Sequence, residues 1–427
     1  MLTVTKPLKV SDIAENLIGS EIIKLAGEIN DKIKKGEQIY NLTIGDFNPK
    51  IYPIPAALKQ LITTAYEQDE TNYPPADGML SLREQVSTFL KHYGGLNYNA
   101  QEILIAGGAR PLIYATFLTL VDPGEKVIFP VPSWNNNHYC HLHQAQQIVI
   151  EASAENNFMP RAADIKPHLQ HAAMIALCSP LNPTGTTFSR ETLTEICDLV
   201  IEENKRRSAS EKPLYLMYDQ IYWMLTFGDT QHFNPVSLKP EMRDYTICID
   251  GLSKSFAATG VRVGWAFGPK RVIDKMKSVL GHIGAWAPKA EQVAVAAYLR
   301  NNDDIDEYLK SFKLKLFTSL ELLHRGFTSL QQEGFPVMSI HPQAAMYLTV
   351  QFNLKGYQLP DGTVISETGQ ITSYLLNEAH FAVVPFSAFG AGSDSCWYRI
   401  SVGNCSSADI PEMMSLLHAA LLKLKKS

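Results

Sequence analysis

What most constrains this chain is a recurring unit: a short apolar run, a loop, then a helical pattern. "EILIAGG" precedes "ARPLIYATFLTL", "KVIFPV" precedes "PSWNNNHYCHLH", and "AAMIALCS" precedes a loop and "SRETLTEICDLVIEEN". "LYLMYDQ", "TICIDGLSKSF" and "TGVRVGWAFG" follow, before the helical "PKRVIDKMKSVLGHI". Short β-rich runs alternating with helices predict an α/β domain, its mostly parallel sheet covered by helices on both faces. This domain is expected to span residues 55–300. At 427 residues the chain is too long for one ordinary core. The two ends, residues 1–54 and 301–427, are expected to form a smaller α+β domain with strands in "AAMYLTVQF" and "CWYRISVG". Two polar stretches, "NKRRSASEK" (204–212) and "NLKGYQLPDGTVISETGQ" (353–370), read as surface insertions.

Charge and cysteine usage remove several classes of function. The formal net charge is −5 with no long single-sign block, so there is no electrostatic footprint for nucleic acid or an anionic membrane. No apolar stretch reaches the ~18 residues of a membrane span. The N-terminal "MLTVTKPLKVSDIAEN" lacks the layout of a signal peptide, so the six cysteines read as reduced thiols of a cytoplasmic protein. The one cluster of metal-ligand types is "HYCHLH". On a helix, His138 and His141 share one face while Cys140 and His143 share another. With the donors split and no second ligand pair at a zinc spacing, no metal is expected.

In open parallel sheets, ligands bind beyond the carboxyl ends of the strands, and what stands there is informative. Gly108, Ala109 and Arg110 follow "EILIAG", Trp134 follows "VIFPV", and Asn182 follows "MIAL". Asp219 ends "LYLMYD", with Tyr222 three residues on; Lys254 follows "TICID", and Arg262 comes eight residues later. Singly, each has an ordinary explanation: a turn before a helix, a core tryptophan, a helix cap, the wet side of a strand. "CSPLNPTG" is by itself a rigid loop in which prolines and Gly185 block helix and sheet. Together the candidates match what pyridoxal phosphate chemistry needs. A lysine amine joins the cofactor aldehyde, and a carboxylate keeps the pyridine nitrogen protonated. An amide and a phenol bind the ring oxygen, and an aromatic stacks on the ring. A helix N-terminus and an arginine take the phosphate.

"SPLNPTG", "YDQIY" and "SKSFAATGVRVGW" resemble the signature segments of the fold-type I, class I/II aminotransferases. "NYPPADGMLSLREQV" and "YRISVG" extend the likeness over nearly the whole chain. The resemblance implies pyridoxal 5'-phosphate bound through Lys254, which also moves the substrate α-proton. Asp219 would pair with the pyridine nitrogen, and Tyr222 and Asn182 with the ring oxygen. Gly108, Ala109, Arg110, Ser253 and Arg262 would receive the phosphate, and Trp134 would stack on the ring. Tyr73 matches a tyrosine that reaches the neighbouring subunit's phosphate, which implies a homodimer with shared active sites. Arg399 matches the arginine that grips the substrate α-carboxylate, and Gly45 lies where a backbone amide assists.

The chain departs from that pattern in three places. Gln220 replaces the glutamate of "DEIY". Gly251 stands where many relatives carry a hydroxyl. "GDFNPKIYPIP" differs from the common "G-x-P-D-F". Arg110 occupies the place of a lysine that reaches the distal carboxylate in similar aspartate aminotransferases; the alternative is that it points into solvent or only supports the phosphate. The favoured reaction therefore moves the amino group of aspartate or glutamate to a 2-oxo acid. A carbon–sulfur lyase or other eliminating enzyme shares every cofactor residue and is the rival reading. A non-catalytic relative is disfavoured by the retained lysine.

Overall fold

The structure is a computed structural model describing residues 9–17 and 21–426, for residues 21–24 the backbone alone. Its largest sheet has seven strands: β1 (Ile103–Ala106), β2 (Lys126–Val131), β3 (Gln146–Glu151), β4 (Ala172–Cys178), β5 (Tyr215–Asp219), β6 (Thr246–Gly251) and β7 (Gly264–Phe267). Their spatial order is β1-β7-β6-β5-β4-β2-β3. Only β7 runs against its neighbours, antiparallel to both β1 and β6; the other pairs are parallel.

The apolar runs follow from burial on both faces. Ile103, Ile105, Ile175, Leu177, Leu216, Tyr218 and Cys248 point into one core layer. Leu104, Ala106, Ala176, Met217, Ile247 and Ile249 point into the other. Side chains alternate between faces, and since neither face meets water the polar half of the usual alternation is missing. The mostly parallel, helix-covered sheet expected from the sequence is present. Sequence reasoning did not find β3, "QQIVIE". It is an edge strand in which Ile150 is buried while Val149 is exposed, so it carries neither a solid apolar run nor clean alternation.

A second sheet of four antiparallel strands follows: β8 (Val337–Ser339), β9 (Tyr347–Phe352), β10 (Val384–Pro385) and β11 (Trp397–Ser401), in the order β10-β11-β9-β8. It shares a core with the 31-residue helix Asn302–Gln332, whose Leu316, Leu320, Leu323, Phe327 and Leu330 repeat at helical spacing. Tyr40, Leu42, Phe47 and Tyr52 pack into the same core.

Both supposed insertions need correcting. Asn204–Arg206 complete the helix Arg190–Arg206, and Arg207 is buried, bonding Glu203 and the carbonyls of Lys212, Leu169 and Ala172. A charged residue that turns inward onto orphan carbonyls looks in sequence like a solvated one. Within 353–370, Leu354 and Ile365 are buried, Tyr357–Gln358 pairs with Lys425–Lys426, and Thr368 starts the helix Thr368–Glu378. Among the described residues no helix is long and apolar enough to cross a membrane.

Candidate active site

The strand ends converge by register. Cys178 lies opposite Asp219, and Asp219 opposite Ile249. At the antiparallel crossing, Gly264 lies opposite both Ala106 and Gly251. Around these ends is a cavity of about 460 Å³ lined by Gly45, Ala109, Arg110, Trp134, Asn182, Asp219, Tyr222, Ser253, Lys254, Arg262 and Arg399. Eleven of the thirteen candidate residues are thus brought together. Gly108 adjoins them; Tyr73 does not.

Lys254 sits on a one-turn helix, Leu252–Ser255, directly after β6. Its Nζ donates to the Gly45 carbonyl at 2.6 Å and lies 5.7 Å from the Phe47 ring centre. Burial pushes its pKa down to about 8; Asp46 opposes the shift, while Arg399, Arg110 and Arg262 add to it. Asp219 ends β5, and its Oδ1 accepts the Ile221 N–H at 3.1 Å. Burial pushes it up to about 6, against the pull of that hydrogen bond and of Lys254. The Tyr222 and Tyr347 hydroxyls are 2.7 Å apart.

The "CSPLNPTG" loop holds Asn182 toward the cavity. The Ser179–Pro180 and Asn182–Pro183 bonds are cis. A side chain at Gly185 would run into the backbone of Tyr347, and Ala344 N–H donates to the Gly185 carbonyl at 2.9 Å. The loop is therefore braced against the second sheet. Asn182 Oδ1 accepts from Arg399 Nη1 at 2.9 Å, and Arg399 Nη2 donates to the Thr43 carbonyl at 2.6 Å. Arg399 is buried, with Nε unpartnered and its guanidinium 4.8 Å from both the Tyr347 and Phe389 rings. Phe389 in turn lies 6.0 Å from Trp134, whose ring is 5.5 Å from the Arg110 guanidinium. An aromatic bridge thus joins the two arginines.

Arg262, in a left-handed conformation (φ 58°), donates to the carbonyls of Thr259 and Gly107. Gly108 has φ 95°, and a Cβ there would overlap the Arg262 guanidinium. Gly108 also supplies no side-chain cap to the helix Ala109–Leu120. The first N–H groups of that helix and Arg262 therefore form an anion cradle at the cavity floor. The Gly45 carbonyl, not its amide, is what engages Lys254. Tyr73 is 81% exposed, its ring edge-on to Trp286 at 5.3 Å. The donors of "HYCHLH" are dispersed: Cys140 is buried in a core layer, and His141 meets the Ile13 carbonyl at 2.8 Å.

Across residues 37–417 the chain matches the model of the family "Aminotransferase class I and II". It belongs to that family. It is 28% identical to an aspartate aminotransferase of Bacillus sp. (strain YM-2), over 89% of this chain and 91% of that one. It is 27% identical to a probable aspartate/prephenate aminotransferase of Rhizobium leguminosarum bv. phaseoli, over 92% and 94%. The crystal structure of the aspartate aminotransferase from Rhizobium meliloti superposes with a TM-score of 0.88 at 25% identity, covering 98% of this chain and all of that one. The chain is a pyridoxal-phosphate-dependent aminotransferase, and the lyase reading is not favoured.

This aminotransferase has groups that fit the cofactor. The cradle offers N–H donors and a guanidinium to a phosphate. Asp219 is a half-buried carboxylate whose raised pKa a ring cation would bring back down. Arg399 Nε is a buried donor still without a partner. Sequence reasoning missed Tyr347, Asp46 and Thr259, all of which line the cavity. Thr259 Oγ1 donates to Asp46 Oδ1 at 2.7 Å. Tyr347 was legible only as part of a strand, because nothing in "AAMYLTVQF" signals which residue faces a ligand.

Proposed function

We propose that this aminotransferase takes its amino group from aspartate or glutamate and passes it to a 2-oxo acid. The observation that carries the reading is the pair of guanidinium groups, Arg110 and Arg399, in the cavity that contains the Lys254 amine. Arg262 is committed to the Gly107–Gly108 turn, which leaves these two for the two carboxylates of a dicarboxylic substrate. Relatives named as aspartate aminotransferases support the same choice.

Bound pyridoxal phosphate supplies the electron sink and carries the amino group between half-reactions. The chain does the rest. Lys254 would anchor the cofactor, and its amine would move the proton from the substrate α-carbon. Its depressed pKa keeps a useful fraction neutral near physiological pH. Asp219 would hold the proton on the pyridine nitrogen, and Asn182 and Tyr222 would donate to the ring oxygen. Arg399 would exchange Asn182 and Thr43 for the α-carboxylate. Trp134 would cover the ring, with Ser253, Arg262 and the backbone amides of Ala109 and Arg110, not the Arg110 guanidinium, available to the phosphate. Tyr73, exposed on its own protomer, would complete the partner's phosphate site in a homodimer. The domain division at residues 55–300 belongs to the same reading, as does a cytoplasmic location, which the six free thiols support.

The test is a substrate panel on wild type and on Arg110→Ala. Aspartate and glutamate should lose about 100-fold in kcat/KM while alanine changes little. A uniform loss across the panel would assign Arg110 to the phosphate and remove the dicarboxylate reading.

A further inference from the structure

The segment that gives Asp219, Ile221 and Tyr222 to the active-site cavity gives its alternate residues, Gln220, Trp223 and Met224, to a second one. That second cavity is a groove of about 840 Å³ sharing no lining residue with the first. Its floor is fixed by buried polar contacts. Asn234 Nδ2 donates to Gln220 Oε1 at 2.7 Å, and Trp223 Nε1 donates to Asp250 Oδ2 at 2.9 Å.

Two features of the groove lack a hydrogen-bond or ion-pair partner among the described residues. Arg190, Lys310 and Lys313 line it, and none forms an ion pair among the described residues; Arg190 only lies over the Phe233 ring at 6.0 Å. The one carboxylate in the lining, Asp306, is taken by the Tyr93 hydroxyl at 3.0 Å. His232 is the second. Both its ring nitrogens are shielded from solvent without a hydrogen-bond partner, and burial pushes its pKa down to about 3. It is a neutral ring with one donor and one acceptor to spare. The rings of Tyr93, Trp223 and Phe233 line the same groove.

We propose that this groove is a second ligand site, for a small aromatic carboxylate. The acid group meets Arg190, Lys310 and Lys313, and the ring lies among Tyr93, Trp223 and Phe233, against the neutral imidazole of His232. The volume is in the range of small-molecule sites, and aromatic walls with a few convergent polar groups are their usual lining. A lining with Arg190, Lys310 and Lys313 against the single carboxylate of Asp306 is net positive and selects an anion, and the rings select against a purely inorganic one.

The test uses the holoenzyme and 3-phenylpropionate, which has neither amino nor oxo group and cannot turn over. Calorimetric titration is run on wild type, on the exposed double variant Arg190→Glu/Lys310→Glu, and on Arg399→Lys, which impairs carboxylate binding in the active site. Saturable binding should persist in Arg399→Lys and weaken by roughly tenfold or more in the double variant, whose melting temperature stays at the wild-type value. Binding abolished by Arg399→Lys but untouched by the double variant would place the acid in the active site and overturn the proposal. So would the absence of binding, or acetate binding as tightly. If Arg399→Lys does not fold, ring-to-protein nuclear Overhauser contacts to Trp223 in the wild type replace that arm; contacts only to Trp134 overturn the proposal.

Discussion

Lys254 and Asp219 are driven in opposite directions by the same cause. Burial penalises the charged form of each, so the lysine falls to about 8 and the aspartate rises to about 6. Only the neutral amine attacks an aldehyde. The rate at which apoprotein captures pyridoxal phosphate should therefore climb with pH through about 8 and level off above it, as followed by cofactor absorbance. A rate still climbing near pH 10 would mean an unperturbed lysine. The same shift fixes a sign for stability. Between about 8 and 10.5 the unfolded chain binds more protons at this site than the folded one, so the penalty is full below pH 8 and fades as pH rises to 10.5. Borohydride reduction and peptide mapping should place the cofactor on Lys254, and Lys254→Ala should keep non-covalent binding while losing turnover. Asp219→Ala should slow α-proton exchange by ~1000-fold or more, because the ring nitrogen would lose its counter-charge. Near-normal exchange in that variant would remove the role.

At the scale of elements, the decisive contact is where β7 crosses between β6 and β1. A Cβ on Gly251 would lie 2.7 Å from the Gly264 Cα, and one on Gly264 would lie 2.7 Å from the Gly108 carbonyl carbon. Three strand ends are stacked without side chains between them. This accounts for Gly251 where other members carry a hydroxyl: here the space is filled by backbone. Gly251→Ser should push β7 away, costing about 1–3 kcal/mol in urea unfolding. It should also weaken cofactor affinity, since Arg262 rides on the loop leading into β7. Unchanged stability and affinity would show that the crossing has slack. The 31-residue helix Asn302–Gln332 poses the opposite case, a long element absent from the sequence reading although its apolar spacing is regular. Its charged outer face dilutes that stripe, and only the sheet it covers makes the stripe evident.

For the whole molecule, the open question is what lies over Tyr73. It is 81% exposed, and its hydroxyl has no place in its own protomer's cavity. If the active sites are shared, mixing two inactive variants restores activity. A heterodimer of Lys254→Ala with Tyr73→Ala contains one site built wholly from wild-type residues. Unfolding and refolding the two together should give roughly a quarter of wild-type activity, as half the dimers are mixed and each has one intact site. No recovery would argue that each protomer completes its own site.

The sequence by itself determined the doubly covered sheet, because strands buried on both faces must be continuous apolar runs. It also singled out the strand-end residues Lys254, Asp219 and Asn182, because each stands where a run of one period stops. Tertiary structure alone decided what those residues meet. That Arg207 turns inward, that Tyr347 faces Tyr222, that Asp46 reaches Thr259 and that Arg110 and Arg399 are bridged by Trp134 and Phe389 are contacts between segments far apart in the chain. Periodicity reports which face of an element is buried; it has no term for the partner on the other side. The pKa values follow the same division, since they arise from a desolvation that exists only once the cavity has closed around the lysine and the aspartate.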